Sequence, residues 1–153
     1  MTASGNQPQS GPLPQPQRIE LKITSHPANL RHVREEVEEF ARSIGLSAET
    51  SDAVGLALNE ALANVIRHGY DGATDRPIVV SAERGEGEIR VLIRDWAKPF
   101  DPSLLKAKRQ GELTPGGIGM VCIHQLMDDV KFERLPDGML LKMVKKTATH
   151  NTR

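Results

Sequence analysis

The chain has 153 residues, a length that fits one domain with its own hydrophobic core and is short for two. Its 20 Lys and Arg balance its 20 Asp and Glu, and this zero net charge disfavours direct binding to nucleic acid or to an anionic membrane. The single cysteine, Cys122, excludes an internal disulfide and a thiolate metal cluster, and no apolar run reaches the roughly 18 residues of a membrane span. The N-terminus has no signal pattern, so we expect a cytoplasmic protein.

The first half of the chain predicts a tail, a strand and two helices. Residues 1–17 are rich in Pro, Gln, Ser and Gly, which predicts a disordered tail. The segment "RIELKITS", residues 18–25, alternates apolar and polar side chains, as is typical of a strand with one buried face. Apolar residues spaced by three and four predict a helix over residues 29–44. Ser47 is a suitable N-cap for a second helix, which is expected to run to about Gly69.

The second half predicts two β-hairpins with a loop and a helix between them. Residues 77–84 and 88–95 are strands rich in β-branched residues, joined by a glycine-rich turn. Prolines and glycines over residues 96–117 predict a long loop, which in a small domain is usually functional. A third helix is predicted over residues 118–127 and a closing hairpin over residues 129–146.

This order of elements predicts the fold class. The order β-α-α-β-β-loop-α-β-β indicates an α/β (α+β) two-layer sandwich, in which a mixed, mostly antiparallel sheet has about three helices on one face. Glu20, Lys22 and Thr24 alternate with the apolar residues of the first strand, so the other face of the sheet is expected to be partly polar.

Polar side chains form a column on the predicted second helix. Glu60, Asn64 and His68 are spaced by four residues, so they lie on one helix face, among Leu, Ala and Val residues. Burying a carboxylate without partners is unfavourable, which favours a functional reason for the column. The alternative is that the column faces water, since surface Glu and Asn are ordinary. For His68 we expect a structural role, in packing or in capping the helix end.

Two later segments favour a binding site. Asp95 follows an apolar strand, where its carboxylate can project into a pocket at the sheet edge. Gly116, Gly117 and Gly119 lie around the start of the predicted third helix, and glycines at such a position let backbone N–H groups approach a phosphate. A glycine-rich loop alone is equally consistent with a hinge. Together with the column, however, these residues supply a base, a metal ligand, an acceptor for a nucleotide base and a phosphate cradle.

Three segments resemble the nucleotide-binding motifs of one superfamily. "NEALANVIRHG" resembles an N box, "DWAKPFDP" a first glycine box and "GGIGMVCIHQLMDDV" a second, in matching order and spacing. The chain is therefore similar to the Bergerat-fold ATP-binding domains of gyrase, Hsp90, the sensor histidine kinases and MutL. Within that superfamily it most resembles the bacterial anti-sigma-factor serine kinases. The resemblance covers residues 18–146, the expected ATP-binding domain, and leaves residues 147–153 as a flexible C-terminal tail.

The resemblance implies a role for each motif residue. Glu60 is expected to be the general base for an acceptor serine, Asn64 the Mg²⁺ ligand, and Asp95 the acceptor for the exocyclic amino group of adenine. Residues 101–115 are expected to form a lid over the nucleotide. The residues expected to bind ATP are Asn64, Asp95, Ala97, Phe100, Gly116, Gly117, Ile118, Gly119 and Met120.

The resemblance also implies partners. Members of the family bind a sigma factor and phosphorylate a small STAS-like anti-sigma-factor antagonist, and they are commonly homodimers. The alternative is a catalytically weak or inactive module of the same fold that only binds nucleotide or partner. Glu60 favours catalysis, whereas Ala97 favours weaker nucleotide binding because the family usually has glycine there. Trp96 can cover the base or face the interior, and the sequence leaves both open.

Overall fold

A computed structural model describes residues 17–98 and 115–147, with the backbone alone for residues 115–120. The strands are β1 (Arg18–Thr24), β2 (Pro77–Gly85), β3 (Glu88–Asp95), β4 (Asp129–Leu135) and β5 (Gly138–Lys146). The helices are α1 (Leu30–Ser43), α2 (Ala48–Asn64) and α3 (Pro115–Leu126), with a 3₁₀ turn at Pro27–Asn29 and a π-helical segment at Val65–Gly69. The elements follow the predicted order.

The strands form one sheet in the order β1-β2-β3-β5-β4. All four strand pairs are antiparallel. The predicted α+β class is therefore confirmed, but the described strands contain no parallel pair, so this sheet is antiparallel and not mixed. The connections explain the difference. β2 and β3 form a hairpin, as do β4 and β5, and β5 lies between the two strands that the α3 crossover connects.

Alternation along the strands divides the sheet into a core face and an outer face. In β3, Ile89, Val91, Ile93 and Asp95 are buried, whereas the residues between them are partly exposed. The buried row packs in one core with apolar residues of the helices, among them Val33, Val37 and Phe40 from α1, and Val54, Leu58 and Leu62 from α2. Removal of this apolar surface from water stabilises the fold. Asp95 is thus a carboxylate at the end of an apolar row.

Helix α2 changes geometry where the polar column lies. The helix starts as predicted, because Ser47 Oγ accepts a hydrogen bond of 3.0 Å from the Thr50 N–H as its N-cap. After Asn64 the helix widens into the π-helical segment, and the Tyr70 N–H donates to the carbonyl of Val65, five residues back. Single π-helical turns are uncommon and frequent at functional sites.

Helix α3 begins earlier than the sequence predicts. It starts at Pro115 and not at Ile118, so Gly116, Gly117 and Gly119 lie inside the helix. The prediction of a glycine turn before the helix is therefore wrong. Proline suits the first turn because its φ is already helical and the N–H it lacks would have no partner within the helix.

Several predictions lie outside the described residues. They concern the N-terminal tail up to residue 16, the C-terminal tail from residue 148, Phe100, and the lid apart from its last residue. The bounds of the ATP-binding domain and of both tails therefore stay predictions. No helix in the described ranges is long and apolar enough to cross a membrane.

Candidate functional site

Of the three polar residues predicted to form a column on α2, only Glu60 and Asn64 lie in the regular α-helix. Glu60 is half-buried, Asn64 is 4% exposed and His68 is exposed. Asn64 follows Glu60 by one α-helical turn, but His68 lies in the π-helical segment, where the wider turn breaks the spacing of four. Partial burial, together with the charge of Arg67, lowers the pKa of His68. His68 is exposed and has no hydrogen bond within the described ranges, so its role in packing or in capping the helix end stays a prediction.

Glu60 presents an unpaired carboxylate. Within the described ranges no hydrogen bond or ion pair reaches it. Its helix neighbours Leu58 and Leu62 are fully buried in the core, so the backbone that holds the carboxylate is fixed. An unpaired, half-buried carboxylate on a rigid helix is available to accept a proton or a hydrogen bond from a ligand.

Asn64 is a buried amide with one group unsatisfied. Its Oδ1 accepts a long hydrogen bond of 3.4 Å from Arg67, whereas its Nδ2 has no hydrogen-bond partner in the part of the chain that the structure describes. A buried polar group without a partner is unfavourable by about 1–3 kcal/mol, and such groups are rare in folded proteins. Asn64 therefore has an unused hydrogen-bond donor directed into the protein, and its Oδ1, held only by the long bond to Arg67, is the atom that could ligate a metal.

Asp95 is the one carboxylate among the buried side chains of the described ranges. It is 3% exposed and accepts a hydrogen bond of 2.9 Å from the Ala97 N–H. Burial raises the pKa of Asp95, while the N–H groups of Ala97 and Met139 and the charge of Arg94 act in the opposite direction. Since a carboxylate has about four acceptor positions, these contacts leave room for a ligand donor.

Asn64 and Asp95 line the same cavity. Its walls come from α2, the π-helical segment, α3 and three strands, and consist of Ala61, Asn64, Val65, Asp95, Ile123, Phe132, Met139 and Leu141. The volume of about 10 Å³ is that of one water molecule, so the cavity can receive only the edge of a larger ligand. Apolar walls with two polar groups are typical of sites that orient a planar ligand. Glu60 lies outside this cavity, one helical turn before Asn64.

Ala97 fits its position without strain. It is 5% exposed, and Asp71 is the only described residue other than glycine with a positive φ. The position therefore does not require glycine for its backbone conformation. The N–H of Ala97 makes the contact to Asp95 that a glycine N–H would make.

Trp96 does not face the protein interior, which was one of the two positions that the sequence left open. Trp96 is 40% exposed and does not line the cavity, and its ring stacks on Arg94, whose Cζ lies 4.3 Å from the ring centroid. Arg94 also donates hydrogen bonds of 2.6 Å to the carbonyl of Asp95 and to the carboxylate of Asp137. Gly138 packs so closely on the same backbone that a Cβ there would lie 2.8 Å from Trp96 Cα. Contacts with Arg94 and Gly138 therefore restrain the backbone of Asp95 and Trp96 on its outer side.

Tyr70 is a site residue that the sequence analysis missed. It is 9% exposed, and its hydroxyl donates a hydrogen bond of 2.7 Å to the carbonyl of Pro77 and accepts one of 2.8 Å from the Trp96 N–H. The available signal was a lone tyrosine directly after the helix-ending Gly69, because a buried tyrosine needs a partner for its hydroxyl.

The start of α3 offers backbone donors. Of the first helical N–H groups, those of Gly116, Gly117 and Ile118 have no partner within a helix that begins at Pro115. Such groups attract anions such as phosphate. For Ile118 and Met120, the structure describes the backbone alone, and Phe100 lies outside the described residues.

Comparison with known proteins decides the family. Residues 23–145 match the family described as Histidine kinase-like ATPase domain. The chain belongs to this family. Membership implies that the chain binds ATP, and the cavity fits this ligand in two respects: Asp95 can accept from the amino edge of a purine, and Asn64 has an unsatisfied amide.

Curated relatives of this ATPase domain are named serine-protein kinase RsbW. The protein from Oceanobacillus iheyensis is 28% identical over 138 residues, which cover 85% of this chain and 87% of that protein. The protein from Listeria innocua is 29% identical over 126 residues, covering 74% and 78%. The resemblance to these kinases is thus confirmed as a distant relationship.

Solved structures show the same fold. The RsbU and RsbW domains of a Mycobacterium tuberculosis protein give a TM-score of 0.63 at 20% identity, over 89% of this chain and 33% of that one. A blue-light activated histidine kinase from Erythrobacter litoralis gives 0.52 at 16% identity, over 69% and 33%. This ATPase domain therefore spans about a third of each solved chain.

Mg²⁺ is a separate question from ATP. The described ranges contain no group of three or more His, Cys, Asp or Glu side chains that could hold a metal ion. Mg²⁺ at nucleotide sites is usually bound by one or two protein ligands together with substrate phosphates and water. A single amide oxygen from Asn64, presented by rotation of its side chain, fits that arrangement.

Proposed function

We propose that this chain is an ATP-dependent protein serine kinase and anti-sigma factor. In this proposal it binds a sigma factor, phosphorylates a serine of a small STAS-like antagonist, and acts in the cytoplasm. The observation that supports catalysis most is the carboxylate of Glu60, which has no hydrogen bond or ion pair within the described ranges and lies one helical turn from Asn64. The distant relatives named serine-protein kinase RsbW support the type of reaction.

Each site residue has one task in this proposal. Asp95 accepts a hydrogen bond from the exocyclic amino group of adenine, and Asn64 ligates Mg²⁺ through its amide oxygen. Glu60 accepts the proton of the serine hydroxyl that attacks the γ-phosphate. The backbone N–H groups of Gly116 and Gly117 stabilise negative charge on the phosphates. Bound ATP supplies the phosphoryl group, and Mg²⁺ neutralises part of its charge.

A binding module without catalysis is the alternative. It would use the same cavity for nucleotide or would use the fold as a partner surface alone. Such a module has no use for a carboxylate at Glu60 that lacks a partner within the described ranges, and the unstrained backbone at Ala97 is compatible with an intact site. The kinase proposal is therefore the one that the geometry supports better.

Partner binding requires an exposed surface. The outer side of α1 is rich in charged residues and includes the ion pair of Arg31 with Glu35, at 3.0 Å and with side chains 86% and 60% exposed. Pairs this exposed contribute little to stability, so they can exchange partners at low cost. We propose α1 as the surface for the sigma factor or for a second copy of the chain in a homodimer.

A titration with and without Mg²⁺ tests the nucleotide site. We expect the wild type to bind ATP more tightly with Mg²⁺, and Asn64→Ala to bind ATP about equally in both conditions, because the variant lacks the metal ligand. Asn59→Ala, on the same helix, is the matched control and should keep the Mg²⁺ effect. No ATP binding by the wild type at millimolar nucleotide would contradict the proposal.

A further inference from the structure

Tyr70 lies between the two halves of the nucleotide site. Its backbone N–H donates to the Val65 carbonyl, 2.9 Å away, in the segment that follows Asn64. Its hydroxyl bridges the start of β2, at the Pro77 carbonyl, and the end of β3, at the Trp96 N–H. A single buried residue, through its backbone N–H and its hydroxyl, therefore connects the Asn64 side of the cavity to the Asp95 side.

The hydroxyl of Tyr70 takes the place of a strand-to-strand hydrogen bond. In the register of β2 and β3, Ile78 pairs with Asp95, so the next pair in the antiparallel ladder would be Pro77 with Trp96. Proline has no N–H to donate to this pair. The Tyr70 hydroxyl lies between the remaining donor and acceptor and hydrogen-bonds to both, so the strands separate directly after Asp95 without leaving either group unsatisfied.

This separation sets the direction of the Asp95 carboxylate. Directly after Trp96, the N–H of Ala97 turns back to Asp95 Oδ1 at 2.9 Å. On the outer side, Arg94 holds the Asp95 carbonyl. The segment is thus fixed at three successive residues, and the hydrogen bond at the middle one depends on Tyr70.

We propose that Tyr70 is a positioning residue that gives the site its preference for adenine. This inference rests on the proposed role of Asp95 as acceptor for the exocyclic amino group. When the Tyr70 hydroxyl is lost, Trp96 and Ala97 shift, and the carboxylate no longer meets the edge of the base. The edge of the purine would still meet the cavity, but with less discrimination between an amino group and an oxygen.

The test is the affinity of Tyr70→Phe for two nucleotides, ATP and inosine triphosphate. Inosine has an oxygen in place of the amino group of adenine, so a carboxylate acceptor disfavours it. We expect the wild type to prefer ATP, and Tyr70→Phe to lose about tenfold in ATP affinity while its affinity for inosine triphosphate changes little. The ratio of the two affinities should therefore fall toward one.

Ser25→Ala is the matched control. Ser25 is also fully buried, and its hydroxyl also bridges two backbone groups, donating to the Ala73 carbonyl at 2.6 Å and accepting from the Arg76 N–H at 3.0 Å. Ser25 holds the loop of residues 70–76, between the π-helical segment and β2, and among the described residues it makes no hydrogen bond to Asp95, Trp96 or Ala97. We expect Ser25→Ala to lower the melting temperature and to leave the nucleotide ratio unchanged, which separates positioning from general destabilisation.

Hydrogen exchange at the Trp96 N–H gives a readout without nucleotide. We expect this N–H to exchange at least tenfold faster in Tyr70→Phe than in the wild type or in Ser25→Ala. Unchanged exchange, or an unchanged nucleotide ratio in a wild type that does prefer ATP, would overturn the inference about Tyr70. A wild type that binds both nucleotides equally, with faster Trp96 exchange in Tyr70→Phe, would instead overturn the role of Asp95 in the proposed function and with it the adenine preference assigned to Tyr70.

Discussion

The Asp95 carboxylate accepts a hydrogen bond of 2.9 Å from the N–H of Ala97, two residues further along the chain. The resemblance to the anti-sigma-factor kinases implies glycine at that position, yet the contact needs only a backbone N–H, which alanine also has. The methyl group of Ala97 is buried in the core. Alanine at this position is thus compatible with the geometry around the carboxylate.

Ala97→Gly should therefore change stability more than nucleotide affinity. We expect a loss of about 1 kcal/mol in the free energy of unfolding, from the lost methyl burial and the greater freedom of the unfolded chain. ATP affinity should stay within about threefold of the wild type, a difference of less than about 1 kcal/mol. Ala82→Gly, also buried in the core but in β2, controls for the stability effect. A gain of more than about tenfold in ATP affinity would show that the methyl group obstructs the nucleotide.

The buried Asp95 makes stability depend on pH. Burial raises its pKa in the folded state above the usual 3.8, so the folded protein holds a proton that the unfolded chain releases. The stability that this group contributes is fully present below pH 3.8 and is lost as the pH rises through the raised folded-state pKa. Asp95→Asn carries no charge at any pH, so its stability relative to the wild type should increase as the pH rises through this window.

Urea unfolding of wild type and Asp95→Asn at several pH values measures this difference. ATP affinity should fall in the variant, since the amide offers a donor where adenine also offers one. Asp75→Asn is the matched control, because the Asp75 side chain is 84% exposed and remains hydrated in both states. A stability difference that stays constant with pH, or that shrinks as the pH rises, would contradict the burial of a charged Asp95.

Gly138→Ala should weaken both the fold and the site. A Cβ at Gly138 would collide with the carbonyl of Asp95 and lie 2.8 Å from Trp96 Cα, and these backbone atoms cannot move without displacing the carboxylate. We expect a loss of about 1–3 kcal/mol in the free energy of unfolding, together with a clear loss of ATP affinity. Calorimetric titration with ATP and thermal unfolding measure the two effects.

Gly87→Ala is the control for this change. Gly87 has a φ of +68°, so alanine is strained there, but nothing lies within 4 Å of its added Cβ, and the β2–β3 turn lies at the end of β3 away from Asp95. It should destabilise the protein while leaving ATP affinity unchanged. Equal ATP affinity in Gly138→Ala and Gly87→Ala would show that the backbone at Asp95 does not set nucleotide binding.

Much of the fold could be predicted because local patterns determine it. The alternation in β1 and β3 and the Ser47 cap are properties of short segments, and the structure has them at the predicted positions. The start of α3 was missed because Pro and Gly favour a loop in isolation, although Pro115 also suits a first helical turn.

Only those residues of the site that belong to the sequence motifs could be predicted. Asn64 and Asp95 lie in recognisable motifs, and the structure brings them to one cavity. The contacts of Tyr70, Arg94 and Gly138 depend on the register of β2, β3 and β5, which no single segment encodes. Sequence motifs therefore could not predict these supporting residues.

Transfer of phosphate from ATP to a serine of a purified STAS-like antagonist tests the kinase proposal most directly. It should be followed in a single turnover with wild type, Glu60→Gln and, as a control on the same helix, the exposed Asp52→Asn. We predict transfer by the wild type and by Asp52→Asn, and transfer at least about 100-fold slower by Glu60→Gln, with ATP affinity retained. Transfer by Glu60→Gln at the wild-type rate would contradict the role of Glu60, and ATP-bound wild type that transfers to no such protein would contradict the kinase itself.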